Sequence, residues 1–196
     1  LDISLVEQLP VKVLIDDYAK LKVAQGDLPT RFCNDERGNL WVRFHSKEDR
    51  PWLFRDFVRV LYALGCHVQQ ASVHTFNSYG VYDWFQVRTR KSLNTIKKLI
   101  KVIQPQPMEF SSFRFDKIVL VSTDQGETVI SFRGRNKKGA LVAAITSLSE
   151  LGLTIRWARV HTWGRQIDDI FGVDTPEDVS LMMFQLKDRW QERGVL

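Results

Sequence analysis

Two carboxylates stand at matching places in this chain. Asp83 opens the run Asp83-Trp84-Phe85-Gln86-Val87, and Asp169 opens Asp169-Ile170-Phe171-Gly172-Val173. Two acids could share general acid and base work. Their equivalence across a repeat reads instead as one buried hydrogen bond made twice, because buried polar groups find partners. His74 and His161 also match, each inside Val-His-Thr. A ligand or switch role is open to a histidine, but the pair reads first as polar strand residues at an interface. His45 and His67 add no metal-ligand spacing. Cys33 and Cys66 exclude a disulfide framework and a cysteine-rich metal cluster. Asp49 could hold a ligand amine, though capping a helix is its first reading. Asn136, Lys137 and Lys138 could hold an anionic group or form a plain solvated loop. Lys97, Lys98 and Lys101 read as the wet side of a helix. No catalytic residues, metal site or cofactor motif emerge, so the chain reads as non-catalytic.

These residues recur because the chain repeats itself. ALGCHVQQASVHTF (63–76) aligns with ELGLTIRWARVHTW (150–163), 87 residues on. Upstream, ERGNLWVRF (36–44) aligns with DQGETVISF (124–132), and downstream DWFQV (83–87) aligns with DIFGV (169–173). A period near 87 is too long for a solenoid. It implies two small units of like fold, 30–104 and 117–196, joined by a linker over 105–116. PQPMEFSSF (105–113) carries two prolines and few periodic apolar residues. Residues 1–29, with Leu5, Leu9, Leu14, Tyr18 and Leu21, read as a helical connector.

Each unit reads as ββαββα. Strands are predicted at 30–34 and 39–46 around the turn Asp35-Glu36-Arg37-Gly38. A helix follows with Leu53, Phe57, Leu61 and Leu64 at helical spacing and Gly65 after its end. Strands at 68–76 and 81–87 flank Asn77-Ser78-Tyr79-Gly80, and Leu93, Ile96, Ile100 and Ile103 mark a second helix. The second unit repeats this, with strands at 117–122, 128–133, 153–163 and 166–173. Its first helix carries Leu141, Ile145, Leu148 and Leu151, and its last is predicted to start after Asp174-Thr175-Pro176-Glu177. The fold class is α+β: two ferredoxin-like domains, each a four-stranded antiparallel sheet with two helices on one face. The order is permuted, with the leading strand filling the slot of the missing last one.

Period-two alternation separates the sheet faces. Ala71, Val73, Thr75, Phe85 and Val87 share one face, as do Ala158, Val160, Thr162, Phe171 and Val173; these should lie under helices. The other face carries Ser72, His74, Phe76 and Trp84, then Arg159, His161, Trp163 and Ile170. Helices are not expected to cover it, yet it is aromatic, which marks a partner surface. His74, Phe76, Trp84, His161, Trp163 and Ile170 are therefore the expected interface, docking on the other unit or on a second chain.

The chain has 196 residues, 44% hydrophobic and 26% charged, with 12 Phe and 6 Trp, enough for a real core. Its net charge of +5 weakly favours anionic partners. No apolar run reaches the ~18 residues of a membrane span, and the N-terminal stretch has no basic leader. The expected location is cytoplasmic. Opening at Leu1 without an initiator methionine fits a piece of a longer protein.

The string DRPWLFRDFVRVLYALGCHVQQASVHTFNSYGVYDWFQV (49–87) resembles an ACT domain. It is especially similar to the tandem ACT region ending bacterial bifunctional protein-PII uridylyltransferase/uridylyl-removing enzymes. Asp49, Pro51, Leu53, Phe54, Gly65, Thr75, Asp83, Phe85 and Val87 match the pattern. So do Leu141, Gly152, Ala158, Thr162, Gly164, Asp169, Phe171 and Val173. The second unit departs where the family has Asp-x-Pro-Gly-Leu, placing Lys137-Lys138-Gly139-Ala140-Leu141 there. Trp52 and Ala140 take the usual glycine slot, with Gly139 one place earlier. The resemblance implies a regulatory module that senses an amino acid, glutamine in that enzyme family, with the parent's nucleotidyltransferase and hydrolase outside this chain. The implied ligand residues are Asp49, Arg50, Pro51 and Trp52 in the first unit and Asn136, Lys137, Lys138, Gly139, Ala140 and Leu141 in the second. A helix N-terminus offers free amides to a carboxylate. Which unit binds stays open.

Two alternatives stand beside this reading. One is a free-standing ACT-repeat protein. The other is a single-stranded RNA binder that stacks bases on sheet aromatics. YGVYDWF (79–85) echoes such a strand but lacks its leading basic residue and first glycine, and Asp83 adds negative charge, so nucleic acid is disfavoured.

Overall fold

The computed structural model describes residues 9, 11–49, 52–76, 79–101, 114–124 and 126–191. An opening helix, α1 (Val11–Val23), precedes the first unit: β1 (Arg31–Asn34), β2 (Leu40–Ser46), α2 (Leu53–Ala63), β3 (His67–Phe76), β4 (Gly80–Arg88) and α3 (Leu93–Leu99). The second unit repeats it: β5 (Lys117–Asp124), β6 (Glu127–Arg135), α4 (Ala140–Glu150), β7 (Ile155–Trp163), β8 (Gln166–Asp174) and α5 (Val179–Trp190). Local chemistry sets the helix ends. Helix α3 stops at Leu99, short of Ile103. Helix α5 starts after Glu177 as expected, where the Asp178 carboxylate accepts from the Leu181 amide at 2.8 Å and caps it.

The strands form one eight-stranded sheet in the order β1-β2-β4-β3-β7-β8-β6-β5, antiparallel throughout. Within each unit the leading strand lies beside the second, in the slot a permuted ferredoxin-like order requires. The units meet edge to edge. Strand β3 pairs with β7, with Gln70 opposite His161, Ser72 opposite Arg159 and His74 opposite Trp157. This corrects the expected docking of sheet faces on each other: a backbone ladder joins the units, and their open faces lie side by side.

The inward residues are those that alternation selects. Ala71, Val73, Phe85, Val87, Ala158, Val160, Phe171 and Val173 are all buried beneath the helices. Leu53, Phe54, Phe57, Val58 and Leu61 line the buried side of α2. One apolar cluster runs through both units, so they share a core instead of each closing its own. Phe115, expected in the linker, is fully buried in it, and its amide bonds the Trp190 carbonyl at 2.6 Å. Residues 105–113 lie outside the described residues.

Helix α1 closes the open face of the first unit, which corrects the expectation that no helix covers it. Leu14, Asp17 and Leu21 recur at helical spacing and point at the sheet, where Trp41, Tyr82 and Trp84 meet them. Burying each leucine contributes about 1.5–3 kcal/mol. Asp17, fully buried, bonds Arg31, Arg43 (2.9 Å) and the Tyr82 hydroxyl (3.3 Å). A buried acid costs free energy unless paired, so this clamp fixes α1 on the first unit. Trp84, expected at an exposed interface, is buried under it.

Candidate functional site

The turn from β2 into α2 forms the first strand–helix corner. Trp52 immediately precedes α2 at φ 73° and ψ 0°, a left-handed conformation. It is the one positive-φ residue other than glycine among the described residues. Such a backbone costs about 1–2 kcal/mol for an L-residue. The Arg55 guanidinium lies over the Trp52 ring at 4.2 Å and bonds the Asp56 carboxylate at 3.0 Å. Asp49 does not cap the helix as expected; it is exposed, and its carboxylate accepts from the Thr75 hydroxyl at 3.4 Å. The reason is distance in sequence: Trp52, not Asp49, occupies the capping position. Arg50 and Pro51 lie outside the described residues.

The turn from β6 into α4 forms the second corner. The Asn136 amide bonds the Arg165 carbonyl at 2.7 Å, and its side chain reaches the Gly164 carbonyl at 3.4 Å. The Lys138 ammonium sits 4.7 Å over the Tyr62 ring. Gly139 precedes α4 at φ 92° and ψ 0°. The left-handed residue before each helix is thus Trp52 in one unit and Gly139 in the other. That corrects the alignment by one place: Gly139, not Ala140, is the counterpart of Trp52, and Asn136 that of Asp49.

Each corner faces the other unit. Beside Asp49, Trp52, Leu53 and Phe54 lie Ile145 and Ser149 of α4 and the segment Gly152–Ile155, around a solvent-open cavity of about 440 Å³. Beside Asn136, Lys137, Lys138, Gly139, Ala140 and Leu141 lie Val58, Tyr62 and the segment Cys66–Val68, around about 40 Å³. The two sites are pseudo-symmetric: Ser149 stands where Tyr62 does, and Thr154 where His67 does. Small side chains leave the first corner open. Tyr62, with Lys138 stacked on it, fills the second. Ligand pockets commonly span ~300–1,000 Å³, whereas about 40 Å³ admits only a few waters. Every second-unit residue expected at a ligand site lines the smaller cavity. Sequence reasoning missed the opposite walls, although the repeat itself pairs Ser149 with Tyr62.

A buried acid lies behind each corner. One Asp83 oxygen accepts from the His74 amide at 3.2 Å, and one Asp169 oxygen accepts from the His161 amide at 3.3 Å. The second Asp83 oxygen is buried with no hydrogen-bond partner. Burial pushes the Asp83 carboxyl well above the usual carboxylate range against the pull of the His74 amide, and the nearby Asp49 charge adds to the rise. Burial likewise pushes Asp169 up to about 8. Asp169 also lines the smaller cavity. The matched acids do bond the neighbouring strand, once per unit.

The remaining expected residues lie on the open face. His74 and His161 sit on the strands that join the units. Phe76 is 38% and Trp163 59% exposed, and Ile170 is half-buried. The echo of an RNA-stacking strand at 79–85 does not survive, since its outward rings, Tyr82 and Trp84, are buried under α1. Among the described residues no group of three or more His, Cys, Asp or Glu could hold a metal ion, and no helix is long and apolar enough to cross a membrane.

No family model and no curated protein matches this chain. Among solved structures it is similar to a crystal structure of aspartate kinase from Synechocystis, at 14% identity and a TM-score of 0.49, over 77% of this chain and 27% of that one. The chain therefore spans little more than a quarter of the solved chain it matches.

Proposed function

We propose that this chain is a regulatory module of two ACT-type units that senses a free amino acid at the corner between β2 and α2. The observation that carries the reading is the cavity of about 440 Å³ that this corner forms with α4 of the other unit. Its chemistry suits a zwitterion. The first amides of α2 and the positive end of the helix dipole favour a carboxylate. The exposed Asp49 carboxylate favours an ammonium group. Ser149 and Thr154, on the facing wall, offer hydroxyls to a polar side chain. An effector held there touches both units and stabilises one arrangement of them. That bias is what a regulatory module transmits to an attached catalytic part. The resemblance of 49–87 supports glutamine as effector and a cytoplasmic PII uridylyltransferase-type enzyme of nitrogen regulation as parent, with the chemistry carried outside this chain.

Calorimetric titration of the full chain with glutamine, glutamate and a panel of other amino acids tests this. One effector per chain is expected. Ser149→Tyr should abolish the heat by filling the first corner as Tyr62 fills the second. Tyr62→Ser should open the second corner and leave the first site working. Binding that ignores Ser149→Tyr, or no binding by any amino acid, overturns the reading.

A further inference from the structure

The open face of the second unit duplicates the face that α1 covers in the first, but its chemistry has changed. Asp17 of α1 rests on Arg31, Arg43 and Tyr82. By strand register, Ser131 replaces Arg43 and Asp168 replaces Tyr82. Asp168 is already satisfied there, accepting from the Ser131 hydroxyl at 2.7 Å and pairing with Arg133 at 3.1 Å. A helix presenting an acid at that place would meet Asp168, so α1 fits the first unit alone.

What the second face offers is rings interleaved with cations. Trp157, Arg159, His161 and Trp163 alternate outward along β7. The His161 and Trp163 rings lie 5.0 Å apart, and Trp163 is 59% exposed. Trp163 stands opposite Gln166 on β8, which stands opposite Arg135 on β6. Arg133 and Arg135 both project outward there and are exposed, as is Arg159. Beside the two rings is a groove of about 240 Å³ with Arg159 and Asp168 among its walls. Sequence-tolerant binding of single strands needs two things, aromatic faces for bases and a basic track for the backbone. Antiparallel sheets present both by alternation.

We propose that this face binds single-stranded nucleic acid, with bases stacked on Trp163 and His161 and phosphates held by Arg135 and Arg159. Charge complementarity and a bare ring select this occupant: the exposed Arg135 and Arg159 guanidinium groups suit phosphates, and Trp163 offers its face to a base. The site is on the opposite side of the sheet from the effector corners and is independent of them.

Fluorescence anisotropy of labelled oligouridylate and oligodeoxythymidylate, titrated with the full chain, tests it. With about two phosphate contacts, affinity should fall roughly sevenfold for a fourfold rise in salt. Trp163→Ala should weaken binding about tenfold or more, and Arg135→Ala should lower the salt slope by about 0.7. Lys98→Ala, an exposed cation of α3 on the helix side, should change neither. Overturning results are no salt-dependent binding, full binding by Trp163→Ala, or mononucleotides competing as well as the strand. So is a wild-type dimer that Trp163→Ala dissociates and that ignores oligonucleotides, which would make the face a protein interface.

Discussion

Trp52 and Gly139 hold the same backbone position in the two units. Each is the last residue before a helix, at φ 73° and 92° with ψ 0°. Glycine adopts that conformation freely, whereas a bulky residue is strained in it. The first unit keeps the strained residue at its open corner and the second keeps glycine at its filled one. Strain of this kind persists where surrounding contacts hold it, and it clusters at binding sites. The holding contact here is the Arg55 guanidinium on the Trp52 ring.

Trp52→Gly therefore relieves about 1–2 kcal/mol of backbone strain and gives up about 0.5–1 kcal/mol of cation–π attraction. The expected outcome is a protein unchanged to about 1.5 kcal/mol more stable, melting up to a few degrees higher. Trp52→Ala keeps most of the strain, loses the ring and should melt lower than wild type. A Trp52→Gly variant that is clearly destabilised in thermal melts would show that the ring contributes more than it strains.

The repeat, the strands and the inward residues were legible because period-two alternation and the matched Val-His-Thr strings encode them locally. How the units join was not. Edge pairing of β3 with β7 depends on backbone groups that every residue carries, so side-chain pattern is silent about it. Each strand–helix corner was legible on one side only. Asn136 to Leu141 lie together in sequence, whereas Tyr62 and Ser149 reach the corners from the other unit. The role of α1 was hidden for a further reason. Asp17 in the stripe of Leu14 and Leu21 looks like an interruption of an apolar face until Arg31 and Arg43 are seen opposite it.

That clamp gives a second prediction. Asp17→Asn removes the counter-charge of Arg43, whose side chain is 4% exposed, and of Arg31 at 26%. Leaving a buried charge unpaired costs about 3–5 kcal/mol. The variant should melt well below wild type. Loosening of α1 should expose Trp41 and Trp84, shifting tryptophan emission to the red. Asp16→Asn, one residue earlier and exposed, should stay within about 0.5 kcal/mol of wild type. Equal melting of the two variants would remove the clamp from the account of how α1 is held.

The buried acids make stability depend on pH in an unusual direction. Asp169 has its carboxyl raised to about 8 in the folded chain against 3.8 ordinarily. Between these values the folded form keeps a proton that the unfolded form has lost. Stability contributed by this group is therefore complete below about pH 4 and declines as pH rises toward 8, by up to about 1.4 kcal/mol per pH unit. Asp83, raised by the same burial, adds to the decline. His45 acts oppositely: burial lowers its pKa, so its contribution falls as pH drops below about 6.5. Asp169→Asn isolates one group from the others, because an amide keeps the acceptor for the His161 amide and cannot ionise. Urea midpoints at pH 5, 6.5 and 8 should show the variant gaining on wild type at each step upward, slightly less over the last as the folded carboxyl begins to ionise near pH 8. A constant difference across the three would mean that the Asp169 carboxyl is already ionised within the fold, with its second oxygen hydrated from the smaller cavity.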